Sequence, residues 1–244
     1  MRKITIAFAG LVLAAGACLL GHSQTAPDSA QSSKQLEAVL NRMDQTAARF
    51  RSSQADFVWD QYEKVVDDHD NQKGTIYFRQ QSKGIEMAAN IIEPAKKYVL
   101  FTDSKAQVYE PKIDRVTVYN TGKNKSDFES LVVLGFGGRG HDLLKSFKVN
   151  YLGTEDAQGV KADKLDLVPK SDRLRNNLSD HIVLWIDPAR GISVQQQFFE
   201  ISGNYRLAKY SNIQMNPRIP VDVFMLKTTG NTTIVSPEGR SVAL

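Results

Sequence analysis

The chain has 244 residues, with 31 basic and 27 acidic side chains and a net charge of +4. A balance this close to neutral argues against a nucleic-acid-binding surface, which needs clustered positive charge. The length suits one domain with a sizeable core, and a single cysteine, Cys18, excludes a fold held together by internal disulfides.

The first 23 residues have the pattern of a secretory signal peptide. Arg2 and Lys3 form a positive start, residues 4–20 are mostly apolar, and the small residues Gly21 and Ser23 fit a cleavage site. We therefore predict export to the periplasm with cleavage after Ser23. An uncleaved membrane anchor is the alternative.

Lipidation of Cys18 is a further alternative, which would attach the chain to a membrane. Such a signal has a large aliphatic residue three positions before the cysteine and polar residues after it, whereas this chain has Ala15 before and Leu19 and Leu20 after. Residues 24–33 are small and polar, which predicts a flexible tether ahead of a single domain at 34–244.

An amphipathic helix is predicted directly after the tether. Ser32 and Gln35 form a plausible capping box at its start. Charged residues occupy one face, and apolar residues recur at helical spacing on the other. The apolar positions are Leu36, Val39, Leu40, Met43, Ala47 and Phe50.

Period-two alternation then predicts about eleven short strands, from 57–62 to 221–228. Short connections such as Gly203-Asn204 favour antiparallel neighbours. The fold class is therefore mainly β with few helices, in a sheet that has water on one side. Shared parity on consecutive strands predicts one apolar inner face, lined by Phe57, Trp59, Ile76, Phe78, Ile85, Met87 and Leu100.

The strand pattern is interrupted once, between Ser126 and Phe147. The apolar residues of this insertion are Phe128, Leu131, Val132, Leu134 and Phe136. Its glycines are Gly135, Gly137, Gly138 and Gly140. Two interpretations remain open: a pair of short helices that covers the core, or a movable lid hinged at the glycines.

No catalytic, metal or cofactor site is predicted. His69 lies in an acidic stretch that is more typical of a solvated turn than of a metal site. His141 follows the glycines, and His181 is a lone histidine of a predicted strand, which is more often a structural residue than a ligand. The glycines at 135–140 lack the Lys-Ser/Thr of a phosphate-binding loop, and no Gly-x-Ser-x-Gly elbow is present.

Several motifs follow one another along the chain: Gly74–Arg79, Pro94, Asp103, Val108–Pro111, Leu165–Lys170, Ile182–Asp187, Gly191, 198–213 and Ser236–Gly239. In this order they resemble the periplasmic outer-membrane lipoprotein carriers and their lipoprotein-sorting relatives. The similarity covers nearly the whole chain after the signal peptide. This chain departs from the family pattern at two positions. Where the family has Asp-Gly, the chain has Asp103-Ser104, and where the family has Arg-Pro, it has Arg79-Gln80.

The resemblance implies an antiparallel half-barrel closed by an N-terminal helix and a helical lid, with the ligand in an apolar cavity between them. It implies a monomeric carrier of acylated lipoproteins or other lipids, which are taken from an inner-membrane donor complex and delivered to an outer-membrane acceptor. It also implies a contact between Arg79 and the lid. A lipid-sensing regulator of the same fold and an enzyme acting on lipids are the alternatives, and the missing nucleophile disfavours the enzyme.

Overall fold

The computed structural model describes residues 29–82, 84–102, 105–120, 134–177 and 179–236. The predicted signal peptide, Cys18 and residues 24–28 of the predicted tether lie outside these ranges. So do Asp103, Ser104, residues 237–239 and three predicted lid residues. Those three are Phe128, Leu131 and Val132.

The predicted N-terminal helix is present as α1, Ser29–Arg49. It begins five residues before the predicted domain start at Lys34, so residues 29–33 are helical and do not belong to a flexible tether. No proline or glycine lies between Ser29 and Lys34 to end the helix earlier. Two further helices in the described residues are short, α2 at Gly140–Ser146 and α3 at Asp172–Asn177.

Twelve strands in the described residues form one open sheet, so the predicted mainly β class is confirmed with one strand more than expected. The first six are β1 Ser52–Glu63, β2 Asp68–Gln81, β3 Gly84–Glu93, β4 Lys97–Thr102, β5 Lys105–Glu110 and β6 Arg115–Asn120. The others are β7 Phe147–Ala157, β8 Val160–Pro169, β9 His181–Ile186, β10 Ser193–Phe199, β11 Tyr205–Met215 and β12 Thr233–Val235.

The sheet has the order β12-β6-β5-β4-β3-β2-β1-β11-β10-β9-β8-β7. All neighbours are antiparallel except β12 and β6, which are parallel. The two meanders meet where β1 pairs with β11, for example Phe57 opposite Tyr210, and we call this pairing the seam. Short hairpins explain the antiparallel meanders on either side of the seam.

The predicted strand at 221–228 is wrong. Val221–Phe224 is a 3-10 helix after Pro220, and Phe224 packs on Ala88 and Leu100. Apolar residues at 221, 223 and 225 alternate as in a strand, but they belong to a segment that covers the outer face of the sheet. The segment ends in β12, whose pairing with β6 the sequence analysis missed.

Two clusters of buried residues lie on the inner face of the sheet, and each occupies a different part of that face. Where α1 and α2 pack on β7–β9, the core is mostly Leu, Ile and Val, and we call this the helix-covered half. The inner face of β1–β5 together with β11 is rich in Phe and Ala, and we call it the aromatic half. None of the helices in the described residues is both long enough and apolar enough to span a membrane.

Candidate functional site

Six of the seven residues predicted for the inner face lie together in the aromatic half. Phe57, Ile76, Phe78 and Met87 are buried, and Trp59 and Ile85 are half-buried against them. Strand register joins them across neighbouring strands, because Phe78 lies opposite Met87 and Met87 lies opposite Phe101. The face is therefore one continuous apolar surface, while a ligand-sized cavity stays a prediction.

Leu100 is the exception among the predicted residues. It lies on the outer face of the sheet, where it packs with Ala88 and Phe224. Its neighbours Val99 and Phe101 point to the inner face instead. Both faces of β4 are covered, so its apolar run has no alternation from which the inward side could be read.

Several residues of this face were missed by the sequence analysis. Phe101 was missed because of the same apolar run, and Tyr210 and Ala208 because β11 is distant in sequence from β1. The alternation of Ala208 and Tyr210 with the exposed Lys209 is the signal that could have placed them. Phe50, the residue after α1, closes one side of the cluster.

Phe136 meets the aromatic half from outside the sheet. Its ring stacks on Phe78 with ring centroids 4.7 Å apart and meets Tyr210 edge-on at 4.8 Å. Leu134, two residues earlier, is buried in the helix-covered half. The Leu134–Gly140 segment therefore contacts both halves of the inner face.

Backbone geometry and close packing explain three of the four predicted hinge glycines. Gly135 and Gly137 have φ of +75° and +79°, which L-residues rarely adopt. A Cβ atom at Gly140 would lie 2.5 Å from the Leu40 carbonyl oxygen of α1. Gly138 lies between them in irregular backbone. These glycines allow close packing, and hinge motion stays a prediction.

Two polar contacts attach this segment to β10. Ser193 donates its backbone N–H to the Gly135 carbonyl at 2.9 Å. The buried Gln196 side chain donates to the Leu134 carbonyl and accepts a hydrogen bond from the Tyr210 hydroxyl at 3.1 Å. Burial raises the pKa of Tyr210, so its phenol stays protonated and keeps donating.

Arg79 lies on the outer face, away from Phe136. It pairs with Glu86, with Nε 3.0 Å from a carboxylate oxygen, and its guanidinium lies 4.0 Å from the centroid of the Phe224 ring. The predicted contact between Arg79 and the lid is thus absent for Leu134 and Phe136. Arg79 helps to hold the segment that covers the outer face.

The three histidines in the described residues lie apart from the aromatic half. His69 lies in β2, not in a turn, with Nδ1 2.7 Å from Asp60. His181 stacks on Phe199 with ring centroids 4.3 Å apart. Within the described ranges, no three or more His, Cys, Asp or Glu side chains are arranged to hold a metal ion.

His141, at the start of α2, joins α2 to α1. Its Nδ1 lies 2.7 Å from an Asp44 oxygen, and its Nε2 lies 3.2 Å from Glu37. The hydrogen bond to Asp44 raises the pKa of His141, with burial opposing. Burial acts to raise the pKa of Asp44, but the hydrogen bonds from His141 lower it on balance. The pair is a charge-assisted clamp on the helix-covered half.

No family model and no curated protein gives a significant match. An uncharacterized conserved protein from Thermus thermophilus has a similar structure, with a TM-score of 0.53 at 10% identity over 83% of this chain and 99% of that one.

Two further structures are similar at lower scores. A chain of the Pseudomonas aeruginosa MucA/MucB complex gives a TM-score of 0.46 at 14% identity, over 79% of this chain and only 61% of the length of that one. A putative outer membrane lipoprotein-sorting protein domain from Vibrio parahaemolyticus gives 0.43 at 13% identity, over 78% and 97%. The motifs of the sequence resemble lipoprotein-sorting proteins, and a lipoprotein-sorting domain is among these similar structures. At these identities the likeness is one of fold alone.

Proposed function

We propose that this protein is an exported periplasmic carrier, which shields the acyl chains of lipoproteins or other lipids on its aromatic half. The observation that carries the proposal is the composition of that face. Five buried Phe and four buried Ala residues lie together with Met87 on one continuous surface. Flat rings beside small side chains suit an apolar guest of variable shape, and a methionine adapts to it.

The energetic need for such a face is large. An acyl chain left in water costs about 0.8 kcal/mol per CH₂, so an ordinary fatty chain costs roughly 10–12 kcal/mol. A carrier must offset most of that cost and still release its cargo. A non-directional apolar surface does both, because it forms no hydrogen bond that would have to break on release.

The helix-covered half is less suited to this role. There α1 packs against the sheet, and Arg42 of α1 pairs with the buried Asp163 of β8, which also accepts a hydrogen bond from the Tyr151 hydroxyl at 3.1 Å. Opening this half would leave a buried carboxylate without its partner, at a cost of several kcal/mol.

In the aromatic half, the group that a guest would have to displace is Phe136. It stands between two glycines of positive φ on a short turn, while Ser193 and Gln196 hold the backbone beside it. An acyl chain that replaced the ring on Phe78 would exchange one apolar contact for another of similar kind. Loading and release then need little net energy.

The first experiment measures binding of a fluorescent fatty acid to Met87→Asp. Met87 is 5% exposed at the centre of the aromatic half, so a charge there should abolish binding. The matched control is Leu152→Asp on β7, a site that is 52% exposed. Equal binding by both variants, with circular dichroism unchanged, would contradict the proposal.

A second variant, Phe136→Ala, tests displacement of the ring. If the guest and the ring compete for the same surface, removing the ring should strengthen binding severalfold. A loss of stability with unchanged binding would mean that Phe136 is an ordinary core residue.

Delivery from an inner-membrane donor to an outer-membrane acceptor is part of the proposal. Mass spectrometry of protein purified from the native periplasm should detect co-purifying lipid or lipoprotein. A folded partner protein without lipid would favour the regulator.

A further inference from the structure

Arg206 is a cation on the inner face of the sheet. It lies on β11 between Gln61 of β1 and Phe198 of β10, which are its register partners. Its guanidinium carbon is 5.3 Å from the centroid of the Phe198 ring. Arg206 thus carries a positive charge next to the apolar surfaces of both halves.

The exposure of its neighbours shows that Arg206 lies at the rim of the aromatic half. Along the inner face of β1, Phe57 is buried, Trp59 is half-buried and Gln61 is exposed. Along β11, Tyr210 and Ala208 are buried, and Arg206 is half-buried. On both strands, the inner-face side chains therefore change from buried to partly or fully exposed in the same row of the sheet.

No carboxylate of the described residues lies within 4 Å of the Arg206 guanidinium. Glu200 acts on it from a greater distance, and that carboxylate accepts a hydrogen bond from Ser202 at 3.2 Å. Burial lowers the pKa of Arg206, with Glu200 opposing, yet an arginine stays protonated in a protein. Among the residues that the structure describes, the side chain is thus a partly desolvated cation without an ion-pair partner.

We propose that Arg206 binds the anionic head group of a lipid whose acyl chain lies on the aromatic half. This inference rests on the proposed function and narrows its cargo to lipids that carry a phosphate or a carboxylate. The planar guanidinium can donate two parallel hydrogen bonds to either group. A head group at the rim and an acyl chain running inward past Trp59 would match the gradient from polar to apolar along β1 and β11.

The experiment compares two lipids that share one oleoyl chain. Lysophosphatidylglycerol carries a net negative charge, whereas lysophosphatidylcholine is zwitterionic, and both are titrated below their micellar concentrations. Trp59 fluorescence reports binding at the rim, because the only other tryptophan, Trp185, belongs to a separate cluster on the other face of the sheet. The wild-type protein should bind the anionic lipid about tenfold more tightly, since hydrogen bonds to charged groups are the strong ones.

Variants then assign that preference to one residue. Arg206→Gln should lose the preference and keep the binding of lysophosphatidylcholine. Lys209→Gln removes an exposed positive charge three residues along the same strand and should keep the preference. Arg206→Lys preserves the charge but not the planar fork and should retain part of it, which also provides a test if Arg206→Gln fails to fold.

The outcomes separate the inference from the proposed function. Equal binding of the two lipids by the wild type, or an unchanged preference in Arg206→Gln, would overturn the role of Arg206 and leave the carrier intact. If neither lipid binds, the proposed function fails, and the inference fails with it. Inorganic phosphate alone should not compete at millimolar concentration, and competition would indicate a site for a free anion.

Discussion

The two halves of the inner face differ in what covers them and in what they are made of. The helix-covered half packs Val39, Leu40 and Met43 of α1 against the aliphatic residues of β7–β9. The aromatic half is rich in rings and alanines, and its cluster includes only Phe50 and Phe136 from outside the strands of the described residues. One sheet thus carries two kinds of apolar surface.

The difference teaches how one fold can combine stability with adaptability. Branched aliphatic side chains that interdigitate with a helix form a core of fixed shape, where each lost methyl group leaves a void. Flat rings beside small alanine side chains offer fewer branched groups that could interdigitate. On this basis the helix-covered half would hold the fold together, and the aromatic half would be free to exchange its contacts.

The largest expected effect comes from truncating one side chain in each half. Leu184→Ala removes a side chain that is 0% exposed in the helix-covered half and should cost about 3–5 kcal/mol in the free energy of unfolding. Met87→Ala in the aromatic half should cost about 2–3 kcal/mol, because a more adaptable surface can close over the gap. Urea denaturation of both variants measures the two values.

Fatty-acid binding of the same two proteins completes the comparison. Met87→Ala should weaken binding, whereas Leu184→Ala should leave it unchanged at temperatures where the protein is folded. Equal destabilisation together with equal binding would mean that both halves are the same kind of core.

A smaller effect is expected at the polar contact between the halves. Gln196→Leu keeps the approximate shape of the side chain but leaves the Leu134 carbonyl and the Tyr210 hydroxyl without this partner. Loss of buried hydrogen bonds of this type should cost about 1–3 kcal/mol. Hydrogen exchange should show faster opening at Leu134–Gly137, with β7–β9 still protected. Uniform loss of protection would argue against a separately held segment.

The smallest effect is expected from the clamp between α1 and α2. Because the folded-state pKa of His141 is raised above its unfolded value, its contribution is fully present below about pH 6.5 and is lost as the pH rises through the folded pKa. The charged groups around it are Glu37, Asp44 and Arg139. Thermal denaturation between pH 5.5 and 8.5 should show this loss in the wild type but not in His141→Asn.

Fatty-acid binding serves as the internal control for that titration. The clamp belongs to the helix-covered half, so binding on the aromatic half should not follow the titration of His141. A midpoint shared by binding and stability would instead couple the two halves.

The sequence was sufficient for features that repeat at short range. Alternation on β1, β2 and β3 placed Phe57, Phe78 and Met87 on one face because polar residues recur on the other side of these strands. It failed at Leu100, where Phe224 covers the second face of β4 and removes the alternation. It failed in the same way at residues 221–228, whose apolar spacing belongs to that covering segment.

Features that depend on distant partners could not be predicted. The alternation predicted a strand that contains Arg206, but nothing in the local sequence shows that Phe198 and Gln61 flank this residue. The glycines at 135–140 suggested a hinge, whereas two have positive φ and a third packs against Leu40. The backbone positions to which a glycine-rich segment docks are set by the tertiary fold.

The seam between β1 and β11 has a consequence for the order of folding. Most neighbouring strands within each meander close over short loops, but the seam joins residues as far apart in the chain as Phe57 and Tyr210. Pairings of such high contact order carry the largest loop-closure entropy, so we expect the seam to form late. Trp59, Tyr210 and Arg206 all lie along it. A newly synthesised chain would therefore lack the complete aromatic half until its last major folding step, and an intermediate with β1 and β11 unpaired would expose two bare strand edges to aggregation.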